Sequence, residues 1–564
     1  MYPAILAHQI QDILLDYLRT TFNLSDPQFE SALFRFLTGP EGLFKGPYVD
    51  IRLPFRTAAP DTAIPLDLAP PFAPFSHQLR AFERLTSREG HQPQNTLVVT
   101  GTGSGKTECF LFPILDHCLR NVGKPGIKAI ILYPMNALAS DQARRIARLL
   151  WDDDRLKGKV TAGLYVGGKG HHGTPDRDHL VDQREILRSS PPDILLTNYK
   201  MLDYLLVRPD DRELWSRNVE PDALRYLVLD ELHTYDGAQG SDVACLIRRL
   251  KARLSIPAGS LCAIGTSATI GSKAETGRLL AEFATKVFGE VFDETAIVPE
   301  DRLSAHEALG EQVDLDRSPD ASDAADLDPE AHSSPEVFLG RQCEIWFDEP
   351  GLSPTAIADR LKRHTFLRSL LWAIGGTPKQ WDDVEEGVAK LEPRFAELSP
   401  EIRTSALRSF LALVAHAKVA APRPDDPDFT APFLTSQVQF WIREFRRLVQ
   451  KVAAGDPQFA WEDEIERDPE LHWLPIVFCR ECGKNGLGSI QKEGDSHLED
   501  SARKIGEAFL AKHRSCRYLT LGEYPEQGLP TYLCPCCLSV GFEAVCPCKR
   551  QVAIPVRVSD KLTE

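Results

Sequence analysis

The sequence predicts an α/β fold: a doubly wound parallel sheet, followed by a helical insert and a small cysteine-rich module. Three observations carry this reading. Between about 75 and 271, short β-rich apolar runs alternate with helical stretches. A glycine-rich turn joins one of those runs directly to a helix, and eight of the 13 cysteines crowd between Cys479 and Cys548. Parallel strands with helices on both faces of the sheet read as continuous apolar runs, which is the pattern here.

At 564 residues, the chain has room for several domains. Its net charge of -16 excludes a surface that is basic as a whole, so any grip on nucleic acid must be local. No run of about 20 apolar residues is present. The opening MYPAILAHQIQDILLDYL places acidic and amide residues inside its apolar pattern, unlike a secretion signal, and a cytoplasmic location is expected.

Taken in order, residues 1–74 form a helical or extended lead-in. Ile5, Ile10, Ile13, Leu14 and Leu18 recur at roughly helical period, which predicts amphipathic helices in front of the first catalytic domain. Residues 75–290 are expected to form a RecA-like ATP-binding domain. Its strands are TLVVT at 96–100, AIILYP at 129–134, DILLTN at 193–198, YLVLDE at 226–231 and LCAIGTSAT at 261–269, with ligands at their C-terminal ends. Residues 291–345 read as an acidic linker; the stretch 311–336 is too acidic and too poor in apolar residues to build a core, and is expected to be disordered or loosely ordered. Residues 346–470 read as a helical accessory region. In SQVQFWIREFRRLVQKV a helix would bring Val438, Phe440, Trp441, Phe445 and Leu448 to one face. Residues 471–564 form the cysteine-rich module.

The chemistry begins at TGTGSGKT. Strand, glycine-rich loop and helix succeed one another, the context in which backbone N–H groups turn inward around phosphate oxygens. Thr102, Gly103, Ser104, Gly105, Lys106 and Thr107 are the expected cradle: Lys106 reaches the β- and γ-phosphates and the Thr107 hydroxyl binds Mg²⁺. Thr100 stands where the strict pattern has glycine. In YLVLDELH, Asp230 and Glu231 end an apolar strand. The first carboxylate suits Mg²⁺ and the second suits orienting and deprotonating the attacking water. His233 is expected to couple the nucleotide site to the chain segment downstream of it, and Ser267 and Thr269 to exchange hydrogen bonds with the acidic motif. Upstream, Gln78 can pair with the adenine edge, with Phe75 or Phe72 available for stacking.

The segments HQ at 77–78, GTGSGKTE, LYPMNALASDQ, YVGG, TNYKMLDYLL, LVLDELHTYDGAQGSDVACLIRRL and GTSAT occur in the order of superfamily 2 helicase motifs. Residues 75–271 thus resemble a DEAD/DEAH-box helicase. PMNALASDQ and DELHTYDGAQGSDVA look most like the large bacterial members with a cysteine-rich C-terminal region, which are associated with DNA repair and anti-phage defence. The resemblance implies ATP-dependent translocation on DNA. It also implies nucleic-acid contacts at Pro134, Asn136, Gln142, Gly167, Gly168, Thr197 and Asn198. Arg144, Arg145 and Arg148 can add sequence-independent charge attraction, or can simply form a solvated helix face.

A motor of this kind closes a second RecA-like domain, with its arginine finger, over ATP. No QxxGRxGR-like segment comes after Thr269, so a separate polypeptide is expected to supply that domain, unless the chain is a truncation. The expected function is the ATP-binding subunit or fragment of an ATP-dependent DNA helicase or translocase, with RNA as an open substrate. The alternative is a non-hydrolysing, nucleotide-gated DNA-binding scaffold.

Among the cysteines, Cys109, Cys118, Cys245, Cys262 and Cys343 are scattered singly and read as ordinary thiols. Cys479-x-x-Cys482 and Cys534-x-Cys536-Cys537, with Cys546-x-Cys548 close behind, have the spacing of a structural four-cysteine zinc site. Cys479, Cys482, Cys534 and Cys537 make the simplest set. Cys534, Cys537, Cys546 and Cys548 make a compact ribbon instead. A second site using Cys516 or Cys536 and an iron-sulfur cluster are further possibilities.

Overall fold

The structure is a computed structural model and describes residues 3–101, 103–168, 170–268, 274–421, 428–465, 468, 471–479, 481–523, 529–548 and 551–560. The sequence-predicted positions Thr102 and Thr269 lie outside them. The chain divides into two compact units, 53–308 and 1–52 together with 309–564.

In unit 53–308 seven strands among the described residues form one sheet, every pair parallel. They are β1 (Thr96–Val99), β2 (Ala129–Tyr133), β3 (Ala162–Tyr165), β4 (Ile194–Asn198), β5 (Tyr226–Leu229), β6 (Cys262–Ser267) and β7 (Ile297–Pro299), in the order β3-β4-β2-β5-β6-β1-β7. Strand side chains alternate between two cores, as the pleat dictates. Ile130, Leu132, Leu195, Leu227 and Leu229 enter one layer, beneath the helices Tyr199–Val207, Gly237–Arg253 and Ala274–Phe288. Ala129, Ile131, Tyr133, Leu196 and Val228 enter the other, beneath α1 (Ser76–Leu85), α2 (Lys106–Arg120) and α3 (Asn136–Asp152). Helix α3 forms because Ala139, Ala143, Ile146, Ala147 and Leu150 recur at helical spacing and bury one face. Each large side chain buried this way contributes about 1.5–3 kcal/mol.

The other unit is built differently from the lead-in, linker and accessory region that the sequence suggests. The N-terminal helices Pro3–Thr21 and Pro27–Leu37 do form. They pack within the unit that holds the C-terminal half, where Leu18, Phe29 and Leu33 share a core with Leu448, Phe459 and Trp461. The 311–336 stretch is a run of capped turns. Asp320 and Asp328 accept backbone N–H groups, Leu327 is buried, and Asp326 holds Arg341 at 2.8 Å. Its acids are caps and ion-pair partners, which composition alone does not reveal.

Helices do occupy 335–416, around Trp346, Phe366 and Phe410. The segment SQVQFWIREFRRLVQKV, expected as a helix, is instead two strands, Thr435–Ile442 and Leu448–Lys451, joined by a 3₁₀ turn. Val438 and Phe440 also alternate at period two. The partner strand Phe44–Arg52 decides between the two periods, pairing Val49 with Val438, and Phe44 packs on Phe440. Among the described residues an eight-stranded sheet runs from Phe459–Trp461 to Val540–Gly541, antiparallel at each pairing of its strands, so the cysteine-rich region continues a sheet that begins before 471.

Candidate nucleotide site, nucleic-acid edge and cysteine cluster

The phosphate-loop candidates sit at the C-terminal end of β1. Gly103 and Gly105 have φ of 78° and 72°, left-handed values that favour glycine, and Gly105 caps α2. A Cβ on Gly105 would lie 2.2 Å from Gln78 Nε2. The loop is held from three sides. His77 Nε2 is 2.8 Å from the Ser104 carbonyl, Gln78 Nε2 donates to the Gly105 carbonyl at 3.2 Å, and the Thr100 and Ser104 hydroxyls are 2.7 Å apart. Thr100 therefore does loop-tying work where a glycine was expected. Burial lowers the His77 pKa, which favours the neutral ring beside the loop. Gln78 is buried and its Oε1 accepts from Phe75 N at 2.9 Å, so in this structure its amide links α1 to the loop.

The acidic pair stands two strands away, at the end of β5. Lys106 Nζ donates to Glu231 Oε1 at 3.0 Å, bringing the loop lysine and the acidic motif together. Glu231 has φ 51° and ψ 52°, a strained conformation for a side chain with a Cβ. Its N–H donates to Thr266 Oγ1 at 3.0 Å, and the Thr266 hydroxyl in turn donates to Asp230. Burial raises the Asp230 pKa; the Thr266 hydrogen bond opposes this and the Glu231 charge adds to it. His233 Nδ1 lies 3.5 Å from Glu231 Oε2 and 3.3 Å from Ser267 Oγ, so the two coupling candidates inside the described residues meet at the acidic pair.

Sequence reasoning missed four contributors. Thr266 stands next to Ser267 and could have been read from the same GTSAT segment. Glu300 comes just after β7 and accepts from Gly101 N at 2.8 Å, a link across 199 positions with no local signal. Tyr133 and Tyr235 bury hydroxyls without a partner among the described residues; burial first, then the Asp230 charge, raises the pKa of both.

The nucleic-acid candidates lie at the C-terminal ends of β2, β3 and β4, farther along the same sheet edge. Asn198 Nδ2 donates to Asn136 Oδ1 at 2.5 Å, and Asn198 Oδ1 accepts from Met201 N at 2.8 Å. Gly167 lies beside Asn136, while Gly168 has φ 104° and open space where a Cβ would point. Arg184 donates to the Gly168 carbonyl at 2.8 Å. Pro134 is half-buried ahead of α3, and Gln142 Oε1 is buried without a partner among the described residues. Thr197 is turned inward, its hydroxyl bonded to the Tyr165 carbonyl at 2.6 Å, and it braces β3 against β4. Of the arginines, Arg145 pairs with Glu108 and Arg148 with Asp178.

In the other unit, Cys534, Cys537, Cys546 and Cys548 converge with their sulfurs within 4.8 Å of one another. Cys534 and Cys548 are 3.5 Å apart, Cys537 and Cys546 3.7 Å. Thiolates about 2.3 Å from a tetrahedral zinc lie about 3.8 Å from one another, so this set fits the ion. The Ser539 hydroxyl and then the Cys548 amide lower the Cys546 pKa, whereas the Cys546 thiol beside it raises that of Cys548, so the clustered thiols share their protons and Cys546 ionises first. The simplest set anticipated from sequence is not the one assembled. Cys479 and Cys482 sit in the tight turn between Trp473–Phe478 and Asn485–Ile490, outside the cluster.

With this geometry in view, residues 75–276 match the DEAD/DEAH box helicase family. They are a DEAD/DEAH box helicase domain. The chain is 27% identical over 387 residues to Druantia protein DruE of Escherichia coli, which is 49% of this chain and 21% of that protein. It is 31% identical over 206 residues to the uncharacterized ATP-dependent helicase YprA of Bacillus subtilis, covering 36% of this chain and 24% of that one. The aligned stretch thus spans about a fifth to a quarter of these relatives. A solved structure titled DUF1998 helicase MrfA bound to DNA and AMPPNP is 26% identical over 47% of this chain and 34% of that chain, with a TM-score of 0.32. The helicase family implies ATP and Mg²⁺. Among the described residues no helix is long and apolar enough to cross a membrane.

Proposed function

We propose that the helicase domain binds ATP·Mg²⁺ at the end of β1 and hydrolyses it when a nucleic-acid strand, DNA by preference, lies along the β2, β3 and β4 ends. The observation that carries this is the 3.0 Å contact of Lys106 with Glu231, held by Gly105 on one side and Thr266 on the other. It places a phosphate-seeking ammonium next to a carboxylate suited to align and deprotonate water. Asp230 and Thr107 are the residues that would hold Mg²⁺, whose charge helps neutralise the phosphates. Gly103, Ser104 and Gly105 present the loop backbone to those phosphates, and Gln78 steadies the loop through its bonds to Phe75 N and the Gly105 carbonyl. Asn136, Asn198 and Gly168 meet a phosphate backbone without reading bases. DNA is preferred over RNA on the motif resemblance.

Among the described residues a single parallel sheet of this type is present. An arginine finger from a second RecA-like domain, carried by another polypeptide or by further chain, is therefore part of the proposal. The test is ATP binding and ATPase activity of the purified chain, with and without single-stranded DNA, and with RNA as competitor. Turnover stimulated by DNA and absent in Lys106→Ala supports hydrolysis by this chain. ATP binding without turnover supports a subunit awaiting its second domain, or the nucleotide-gated scaffold. No ATP binding at all sinks the reading.

A further inference from the structure

The edge of the sheet opposite the nucleotide loop holds a cavity of about 680 Å³ that the helicase reading leaves unused. It opens where α2 ends and where β2 and β5 begin, and five cations line it: Arg120, Lys124, Lys128, Arg217 and Arg225. In a chain of net charge -16 such a concentration is notable for how little of it is neutralised locally. Lys128 pairs with Asp193, and Arg120 pairs with Asp116 at 2.9 Å. The other three differ. Arg217 donates to the Ser189 carbonyl at 2.8 Å; Arg225 donates to the Ser260 carbonyl at 2.9 Å and to Gln92. No ion pair joins either of them, or Lys124, to a carboxylate of the described residues. The acids on the lining, Glu220 and Asp222, are exposed.

Guanidiniums bonded only to neutral oxygens keep their full charge, and their remaining N–H groups suit the paired oxygens of a phosphate. His117, on the wall, reports the same field: burial first, then Arg120, Arg225, Lys128 and Lys124, hold its pKa down at about 3. A neutral imidazole costs an anion nothing. The cavity has the size of small-molecule sites, which run about 300–1,000 Å³.

We propose that this cavity binds a phosphorylated small molecule of nucleotide size, its phosphates held by Arg217, Arg225 and Lys124, at a site separate from the ATP loop. The proposal stands whether or not the chain hydrolyses ATP.

The test is calorimetric titration of the full chain carrying Lys106→Ala, which weakens the loop site, with pyrophosphate, ADP and a short oligothymidylate as probes. Pyrophosphate and ADP should bind. Arg217→Gln should weaken them at least tenfold, a loss of about 1.4 kcal/mol, because it removes a charge-assisted bond to the phosphate. Arg217 is exposed, so its loss should leave the melting temperature unchanged; Arg225→Gln is the second variant. No binding to the Lys106→Ala chain overturns the proposal, as does binding that neither arginine variant weakens. Tighter binding of the oligothymidylate, lost in the same variants, also overturns it and gives the cavity to a nucleic-acid strand.

Discussion

At the scale of single residues the candidate site is a set of unequal carboxylates. Glu231 is half-buried beside Lys106, whereas Asp230 is buried and leans on Thr266. Glu231→Gln should preserve ATP binding and cut any turnover by about 10²–10⁴, the usual worth of a positioned base, measured by steady-state ATPase assay. Asp230 has a different signature. Its folded pKa is raised, so the stability linked to its protonation is fully present below the ordinary carboxylate value, about 3.9, and is lost as pH rises through the folded value. At neutral pH the ionised carboxylate therefore destabilises the fold. Asp230→Asn, which keeps an acceptor for Thr266, should raise the melting temperature at neutral pH while abolishing hydrolysis. The gain should fade toward pH 4; a variant no more stable at pH 7 would contradict this account.

At the scale of elements, the junction of β1 and α2 is the part most exposed to a single change. Gly105→Ala forces a Cβ into a left-handed residue, a cost of about 1–2 kcal/mol, and drives it against Gln78. Loss of ATP binding with a lowered melting temperature is expected from fluorescent-nucleotide titration and thermal melting. The cysteine hairpin makes a parallel prediction. Zinc loaded onto the purified protein should be lost in Cys546→Ser and retained in Cys479→Ser, read by metal analysis. The reverse result would show that the ligands are the pair of knuckles after all. These elements differ in how much the sequence revealed. The loop was legible because strand, glycines, lysine and helix are contiguous, and the local backbone needs no distant partner to take that shape. The ligand set was ambiguous because several cysteine pairings satisfy the same spacing, and the fold of the hairpin chooses among them.

At the scale of the molecule the proposed ligands fall to separate units, ATP to 53–308 and a metal on the cysteine cluster to the other. Calorimetric unfolding should show two transitions. ATP at a hundredfold excess over its dissociation constant should stabilise only the unit 53–308, by about 2.7 kcal/mol. A chelator should lower only the other, because metal-binding energy is folding energy for the segment that supplies the ligands. A single transition shifted by both reagents would mean that the units unfold as one.

The sequence by itself determined the parallel sheet, the phosphate loop, the acidic strand end and the cysteines at metal-ligand spacing. All of these are written in contiguous segments, where apolar period and residue chemistry act over a few positions. Tertiary structure decided what contiguity cannot. It brought Glu300 to Gly101 and Thr266 to both acids. It turned 435–451 into strands once Phe44–Arg52 offered a partner, and returned the N-terminal helices to the C-terminal unit. Strand pairing and core sharing join residues hundreds of positions apart, and their free energy is absent from any local window.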